Sequence, residues 1–86
     1  MNAELVIVRW NDAHAGGHEQ YDMASVPHSP MVIQTVGWLL RDDAAGVSVA
    51  SETVEGGYRS YTFVPRGMVI EVKPIKPKRK KKEISV

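Results

Sequence analysis

Short segments of β-branched and aromatic residues dominate the sequence, separated at close intervals by turns rich in Gly, Pro, Asn and Asp. Val, Ile, Thr, Tyr and Trp fit the pleated, half-buried surface of a strand, so each segment favours a strand. None of the segments approaches the roughly 18 consecutive apolar residues of a membrane span. The pattern predicts an all-β fold of five strands, at residues 4–10, 31–41, 47–52, 58–64 and 68–72.

The second predicted strand has a glycine, Gly37, in its middle. A glycine inside a strand indicates a sharp bend or the close approach of another backbone. Short strands with one strongly bent member can close on themselves, which removes exposed edges. We therefore expect a small, strongly bent five-stranded barrel of the SH3-like or Sm-like type. A chain of 86 residues forms one domain with a modest core, and oligomerisation would add buried surface.

A long irregular segment, residues 11–30, follows the first predicted strand and contains all three histidines. Loops of this length in compact domains are often functional. His14 and His18 have the four-residue spacing of two zinc ligands on one helical face, but Gly16 and Gly17 between them disfavour a helix. The interpretation we favour is an exposed polar loop without a metal. Metal binding and ligand contact are the alternatives.

The charge is divided between two parts of the chain. Residues 73–86 carry seven cations and one carboxylate, a net charge of +6, whereas residues 1–72 carry four arginines and nine carboxylates, a net charge of −5. Prolines and a run of like charges prevent the end from folding alone. We predict a domain at residues 1–73 and a disordered basic tail at residues 74–86. This tail would attract nucleic acid or another polyanion without reading sequence, through Lys78, Arg79, Lys80, Lys81 and Lys82.

The absence of several motifs disfavours catalysis and secretion. Without cysteine the chain can form neither a disulfide framework nor a thiolate zinc site, which suits a reducing cytoplasm. No G-x-S-x-G motif occurs, and the Gly56–Gly57 pair precedes a strand, whereas a P-loop opens a helix. Asp42 and Asp43 are neighbours in a turn, where adjacent carboxylates point apart. We expect a cytoplasmic, non-enzymatic protein without a cofactor.

Two tryptophans and two arginines are the strongest candidates for ligand contact within the predicted domain. In a small barrel most aromatic side chains belong to the core or to a subunit interface. Trp10, beside the long loop, and Trp38, after the bend glycine, are the two we expect to be partly open and to stack on a planar base. Arg59 and Arg66 could bind phosphate through paired hydrogen bonds, or could pair with nearby glutamates instead.

Four segments together resemble a small phage-encoded β-barrel protein of largely uncharacterised function. They are V-R-W-N-D-A-H at residues 8–14, T-V-G-W-L-L-R-D-D at 35–43, V-S-V-A-S-E at 47–52 and F-V-P-R-G-M-V-I-E-V at 63–72. The order of bent strand, acidic turn and alternating strand also resembles an Sm-like barrel, although the nucleotide-pocket motifs of RNA-binding Sm proteins are missing. The resemblance implies a compact barrel that forms a homo-oligomer. It also implies action on a host system by binding rather than catalysis.

These observations predict a non-enzymatic, homo-oligomeric protein that binds a phosphate-bearing ligand in the host cytoplasm. The sharper hypothesis is that it sequesters a nucleotide signal of host antiviral defence. The alternatives are an Sm-like nucleic-acid-binding protein that uses its basic tail, and a protein–protein inhibitor of a host enzyme. The candidate ligand-binding residues are Trp10, Trp38, Arg59, Arg66, His14 and His18.

Overall fold

The computed structural model of the protein describes residues 3–76, which form one antiparallel sheet. A 3-10 helix at Arg66–Met68 precedes the last strand, and within residues 3–76 no helix is long and apolar enough to cross a membrane. The all-β class and the five predicted strands are confirmed. The strands are β1 at Leu5–Asp12, β2 at Met31–Asp43, β3 at Gly46–Val54, β4 at Gly57–Pro65 and β5 at Val69–Pro74.

The strand order in the sheet is β4-β3-β2-β1-β5. The first four strands form a meander, and β5 returns to pair with β1. The expected closure into a barrel is not found among residues 3–76, because no ladder joins β4 to β5. Five of the six residues of β5 pair with β1 instead, which leaves β4 and β5 as the two edges of an open sheet.

The open sheet is nevertheless curved. The backbone N–H of Ala3, just before β1, donates a hydrogen bond to the hydroxyl of Tyr58 in β4 at 3.1 Å. β3 and β2 lie between these two strands in the sheet order, so a flat sheet could not make this contact. The curvature brings the beginning of β4 close to the beginning of β1.

β2 divides at its glycine between two pairing partners. Its first half pairs with β1 as far as Trp38, and its second half pairs with β3 from Trp38 onward. A Cβ atom placed on Gly37 would lie 2.5 Å from the carbonyl oxygen of Ala50 in β3. The close backbone approach predicted for Gly37 is therefore confirmed, and it lies next to the Trp38–Ala50 pair.

The core is small and consists mainly of valines. Alternate residues of β1 and β3 point to one face of the sheet, where they meet one residue of β4. Half-buried residues extend this cluster at its rim. The fully buried members are Val6, Val8, Val47, Val49 and Val64, and the half-buried ones are Trp10, Leu39, Met68, Val69 and Val72.

Residues 13–30 connect β1 to β2 as an exposed segment without a strand. Its one tight turn is held by Asp22, whose carboxylate accepts hydrogen bonds from the backbone N–H groups of Ala24 and Ser25 at 3.0 and 2.9 Å. At the other end of the chain, β5 ends at Pro74, one residue beyond the predicted domain boundary. Residues 77–86 of the predicted tail lie outside the described residues.

Candidate functional site

One face of the sheet carries three aromatic side chains, one on β2 and two on β4, with β3 between these two strands. Ala50 in β3 lies opposite Trp38 in β2 and opposite Tyr61 in β4, so these three residues share the face away from the valine core. Ser48 lies opposite Phe63, which places a second ring on the same face two residues from Tyr61. We call the surface formed by Trp38, Tyr61 and Phe63 the aromatic face.

The aromatic face is open to solvent. Tyr61 is 71% exposed and Phe63 is 48% exposed, whereas Trp38 is half-buried. Two exposed aromatic side chains on one strand are unusual in a small protein, because the apolar area that they expose is not buried in its core. This face is therefore the candidate site for contact with a ligand or with another macromolecule.

Arg59 lies beside the aromatic face, in the row next to Tyr61. Its Nε donates a hydrogen bond to Glu52 Oε1 across the β3–β4 hairpin at 2.9 Å. The same oxygen accepts from the Ser60 hydroxyl at 2.8 Å. Hydrogen bonds from Ser60 and then Arg59 lower the pKa of Glu52 below its ordinary value. In the structure Arg59 therefore pairs with a glutamate, which was the alternative interpretation of this residue.

Arg41 lies at the opposite side of the aromatic face, in one row with Ser48 and Phe63. Its Nε donates to Asp43 Oδ2 at 2.9 Å, and its side chain is 81% exposed. A hydrogen bond from the backbone of Ala45, followed by the one from Arg41, lowers the pKa of Asp43. The aromatic rows are thus bordered by one arginine on each side, and each arginine is held by an exposed carboxylate.

Arg66 lies in the 3-10 helix, away from the aromatic face. It points to the β2–β3 turn, where it pairs with the Asp42 carboxylate and donates to the carbonyl oxygen of Asp43 at 2.6 Å. Its own backbone N–H donates to Ala45 at 3.1 Å. These contacts tie the 3-10 helix to the turn, so Arg66 serves the fold at this place and lies apart from the aromatic face.

A cleft of about 380 Å³ adjoins Trp38. Ala3 to Leu5 and Ile75 line it together with the tryptophan, and Lys76 stands at its border. The ladder between β1 and β5 continues into this region, since Ile75 N–H donates to Leu5 carbonyl oxygen at 2.8 Å. The basic end of the chain therefore starts next to the tryptophan that sequence reasoning selected.

The other candidate tryptophan, Trp10, lies on the opposite face. It packs against the valine core, and its indole N–H donates to the Thr35 hydroxyl at 2.9 Å. Its polar atom is satisfied inside the protein, as is usual for a tryptophan that is partly core. Trp10 and Trp38 therefore do not form one stacking site within a single chain.

The histidines are found in the exposed connection, away from the aromatic face. His14 Nε2 lies 2.7 Å from the carbonyl oxygen of Ser29, a contact that joins the two ends of the 13–30 segment. His14 lines two clefts, of about 510 and 300 Å³, and His28 lines the larger one. His18 is exposed and lines neither. No group of three or more metal-ligating side chains occurs in residues 3–76.

Of the six predicted ligand residues, the structure brings Trp38 and Arg59 to one face and distributes the others over the core, the β2–β3 turn and the long loop. Sequence reasoning treated Tyr61 and Phe63 as core or interface residues. The β3–β4 hairpin could have shown which face these two rings occupy. Its turn at Glu55–Gly56 sets a register in which Tyr61 and Phe63 lie opposite Ala50 and Ser48, and not opposite the valines. The tail candidates Lys78 to Lys82 lie outside the described residues.

Comparison of the chain with protein-family models, with curated proteins and with solved structures gave no match.

Proposed function

We propose that this is a non-enzymatic binding protein that assembles with itself and binds a phosphate-bearing ligand with a planar base on its aromatic face. The observation that carries the proposal is the placement of Trp38 and the 71%-exposed Tyr61 on either side of Ala50, with Arg59 in the next row. An exposed ring offers a surface on which a base can stack. A neighbouring guanidinium offers paired hydrogen bonds to a phosphate.

The ion pairs of the arginines do not prevent this role. The side chain of Arg59 is 67% exposed and that of its partner Glu52 is 48% exposed. An exposed pair of this kind contributes only about 0–1 kcal/mol, because water solvates both charges and the long side chains lose entropy. A phosphate can therefore replace Glu52 as the partner of Arg59 at small cost. Arg41 offers the same exchange at the other border of the face.

Self-assembly is supported by the two edges of the sheet. β4 pairs only with β3 and β5 pairs only with β1 among the described residues, so each edge presents unpaired backbone groups. β4 and β5 are different surfaces, and pairing the β4 edge of one copy with the β5 edge of the next is a head-to-tail contact that can close into a ring. In such a ring neither edge of the sheet would remain unpaired. The SH3-like or Sm-like assignment is part of this proposal.

The resemblance to small phage proteins supplies the sharper form of the proposal, which is sequestration of a nucleotide signal of host defence. A protein of this kind needs affinity and no chemistry. That requirement is consistent with a face of aromatic rings and arginines. It predicts that the purified protein carries a bound nucleotide out of the cell.

The test uses the full-length protein and adenosine 5′-monophosphate, with adenosine as the phosphate-free control. We expect the nucleotide to quench tryptophan fluorescence, and Tyr61→Ala to weaken its binding about 5- to 100-fold, the range for loss of one base–aromatic stack. Tyr21→Ala is the matched control, because Tyr21 is an exposed aromatic residue in the 13–30 segment. Light scattering gives the oligomeric mass, and mass spectrometry of the denatured supernatant identifies any co-purified ligand.

Absence of binding by the nucleotide, together with a supernatant free of phosphate-bearing molecules, would refute the binding proposal. A monomeric mass would refute the proposed assembly. Equal binding of adenosine and its monophosphate would show that the arginines contribute nothing.

A further inference from the structure

We infer that the ligand of the aromatic face is a single-stranded nucleic acid, whose successive bases stack on the separate rings while its backbone follows the cations that border them. The inference rests on the proposed function and specifies the class of its ligand. It is based on the number and spacing of the rings and on the distribution of the cations. One nucleotide could contact only some of these rings and cations.

The three rings are placed as separate stacking positions. Trp38 and Tyr61 lie on strands that are two positions apart, so their Cα atoms are separated by about 10 Å, from the ordinary spacing of strands. Phe63 follows Tyr61 on the same side of β4 at about 7 Å, from the rise of two strand residues. One base covers one ring. A mononucleotide would leave at least one of the exposed rings in water, whereas a strand of several nucleotides can cover all three.

Cations surround these rings on more than one side. Arg41 borders the Phe63 row, and Arg59 follows the Tyr61 row. Lys73 in β5 lies opposite Ile7, and Ile7 lies opposite Val36, which puts Lys73 on the same face of the sheet as Trp38. Neither Lys73 nor Lys76 forms an ion pair with a carboxylate of the described residues.

The sequence contains further cations after β5. Lys76 stands beside the Trp38 cleft, and Lys78, Arg79, Lys80, Lys81 and Lys82 follow it directly. Exposed rings with an adjacent run of positive charge are what proteins use to hold single strands without sequence preference. A duplex hides its bases in the stack, so it could engage the cations but not the rings.

The experiment measures anisotropy of a fluorescein-labelled thymidine strand of about twelve nucleotides, within the site sizes of single-strand binders. Its competitors are thymidine 5′-monophosphate, a duplex of equal length and the corresponding uridine strand, which separates DNA from RNA. The full-length protein is compared with Tyr61→Ala, Phe63→Ala and the control Tyr21→Ala. A fifth protein is the full chain with Lys78, Arg79, Lys80, Lys81 and Lys82 replaced by Gln.

We expect the single strand to bind more tightly than the mononucleotide and the duplex. Tyr61→Ala and Phe63→Ala should each lower its affinity about 5- to 100-fold, with Tyr21→Ala unchanged. The tail variant should keep its dependence on Tyr61 while its plot of log affinity against log salt becomes less steep, by about 0.7 for each phosphate that the tail no longer neutralises. Tyr61→Ala should keep its thermal midpoint, because Tyr61 is 71% exposed, whereas Phe63→Ala should lose some stability because its ring packs against Gly46.

Any of the following results would overturn the inference. Unchanged affinity in Tyr61→Ala, or equal binding of single strand and duplex, would mean that the tail alone binds a polyanion. A single strand no tighter than the mononucleotide would overturn the inference while leaving the proposed function intact, whereas no binding of either would overturn both. A change of oligomeric mass in Tyr61→Ala would mean that a second copy of the chain occupies the face.

Discussion

Replacing Gly37 by Ala should destabilise the protein strongly for so small a change. The added Cβ would lie 2.5 Å from the carbonyl oxygen and 3.1 Å from the carbonyl carbon of Ala50. These are backbone atoms of a paired strand, so no change of side-chain rotamer can relieve the contact. β2 and β3 would have to separate where Trp38 and Ala50 are paired.

The magnitude follows from two opposing effects. Forcing an extra methyl group into a packed site costs about 1–3 kcal/mol. The lower entropy of alanine in the unfolded chain offsets about 0.4–1 kcal/mol of this. The net loss of roughly 1–2 kcal/mol in the free energy of unfolding corresponds to a fall of about 4–16 °C in the thermal midpoint of a domain of this size.

Thermal and urea denaturation, followed by circular dichroism, measure the effect. Gly67→Ala is the matched control, because a Cβ at Gly67 would meet no heavy atom within 4 Å. We expect the control to be neutral or slightly stabilised. If Gly37→Ala and Gly67→Ala have the same midpoint, β2 and β3 do not approach each other closely at Gly37 in solution.

Three further changes test the fold. Arg66→Gln should lower the free energy of unfolding by about 1 kcal/mol, the low end for charged hydrogen bonds at an exposed site, as measured by urea denaturation. Val8→Ala should cost about 2 kcal/mol through reduced burial and a cavity, whereas Val32→Ala, at a position 52% exposed, should change the urea midpoint little. The folded-state pKa of Glu52 is lowered, by Ser60 first, so the unfolded state binds more protons in acid. The contribution of ionised Glu52 to the free energy of unfolding is complete above the unfolded-state pKa and is lost as pH falls through the folded-state pKa. Glu52→Gln removes this contribution, so the urea midpoint of the variant should decline less steeply below about pH 4 than that of the original protein.

The strands could be predicted because their signals are local. Alternation within β3, the turn at Glu55–Gly56 and the glycine of β2 all lie in short windows of sequence. Closure of a barrel depends instead on whether β4 and β5 pair with each other. That pairing depends on how strongly the sheet curves and on whether β5 pairs with β1 instead of β4. No single window contains this information.

The candidate site was predicted only in part for a related reason. Residue type identified Trp38 and Arg59 as able to bind a base and a phosphate. It could not show which face each side chain occupies, and so it did not separate the core-packed Trp10 from the aromatic face. The partners of Arg59 and Arg66 were equally open, because Glu52 and Asp42 become neighbours only through the hairpin and the turn.

The pairing of β5 with β1 has a consequence for the order in which the protein opens. Val8 lies opposite Val72, nearly the whole described chain away, whereas β2–β3 and β3–β4 are joined by short turns. Ladders between distant segments carry the larger loop-closure entropy, and an edge strand has only one partner. β5 should therefore open locally before the meander does, and its amide hydrogens should exchange faster than those of β3. Local opening of β5 would leave in place the β2–β3–β4 unit that carries Trp38, Tyr61 and Phe63.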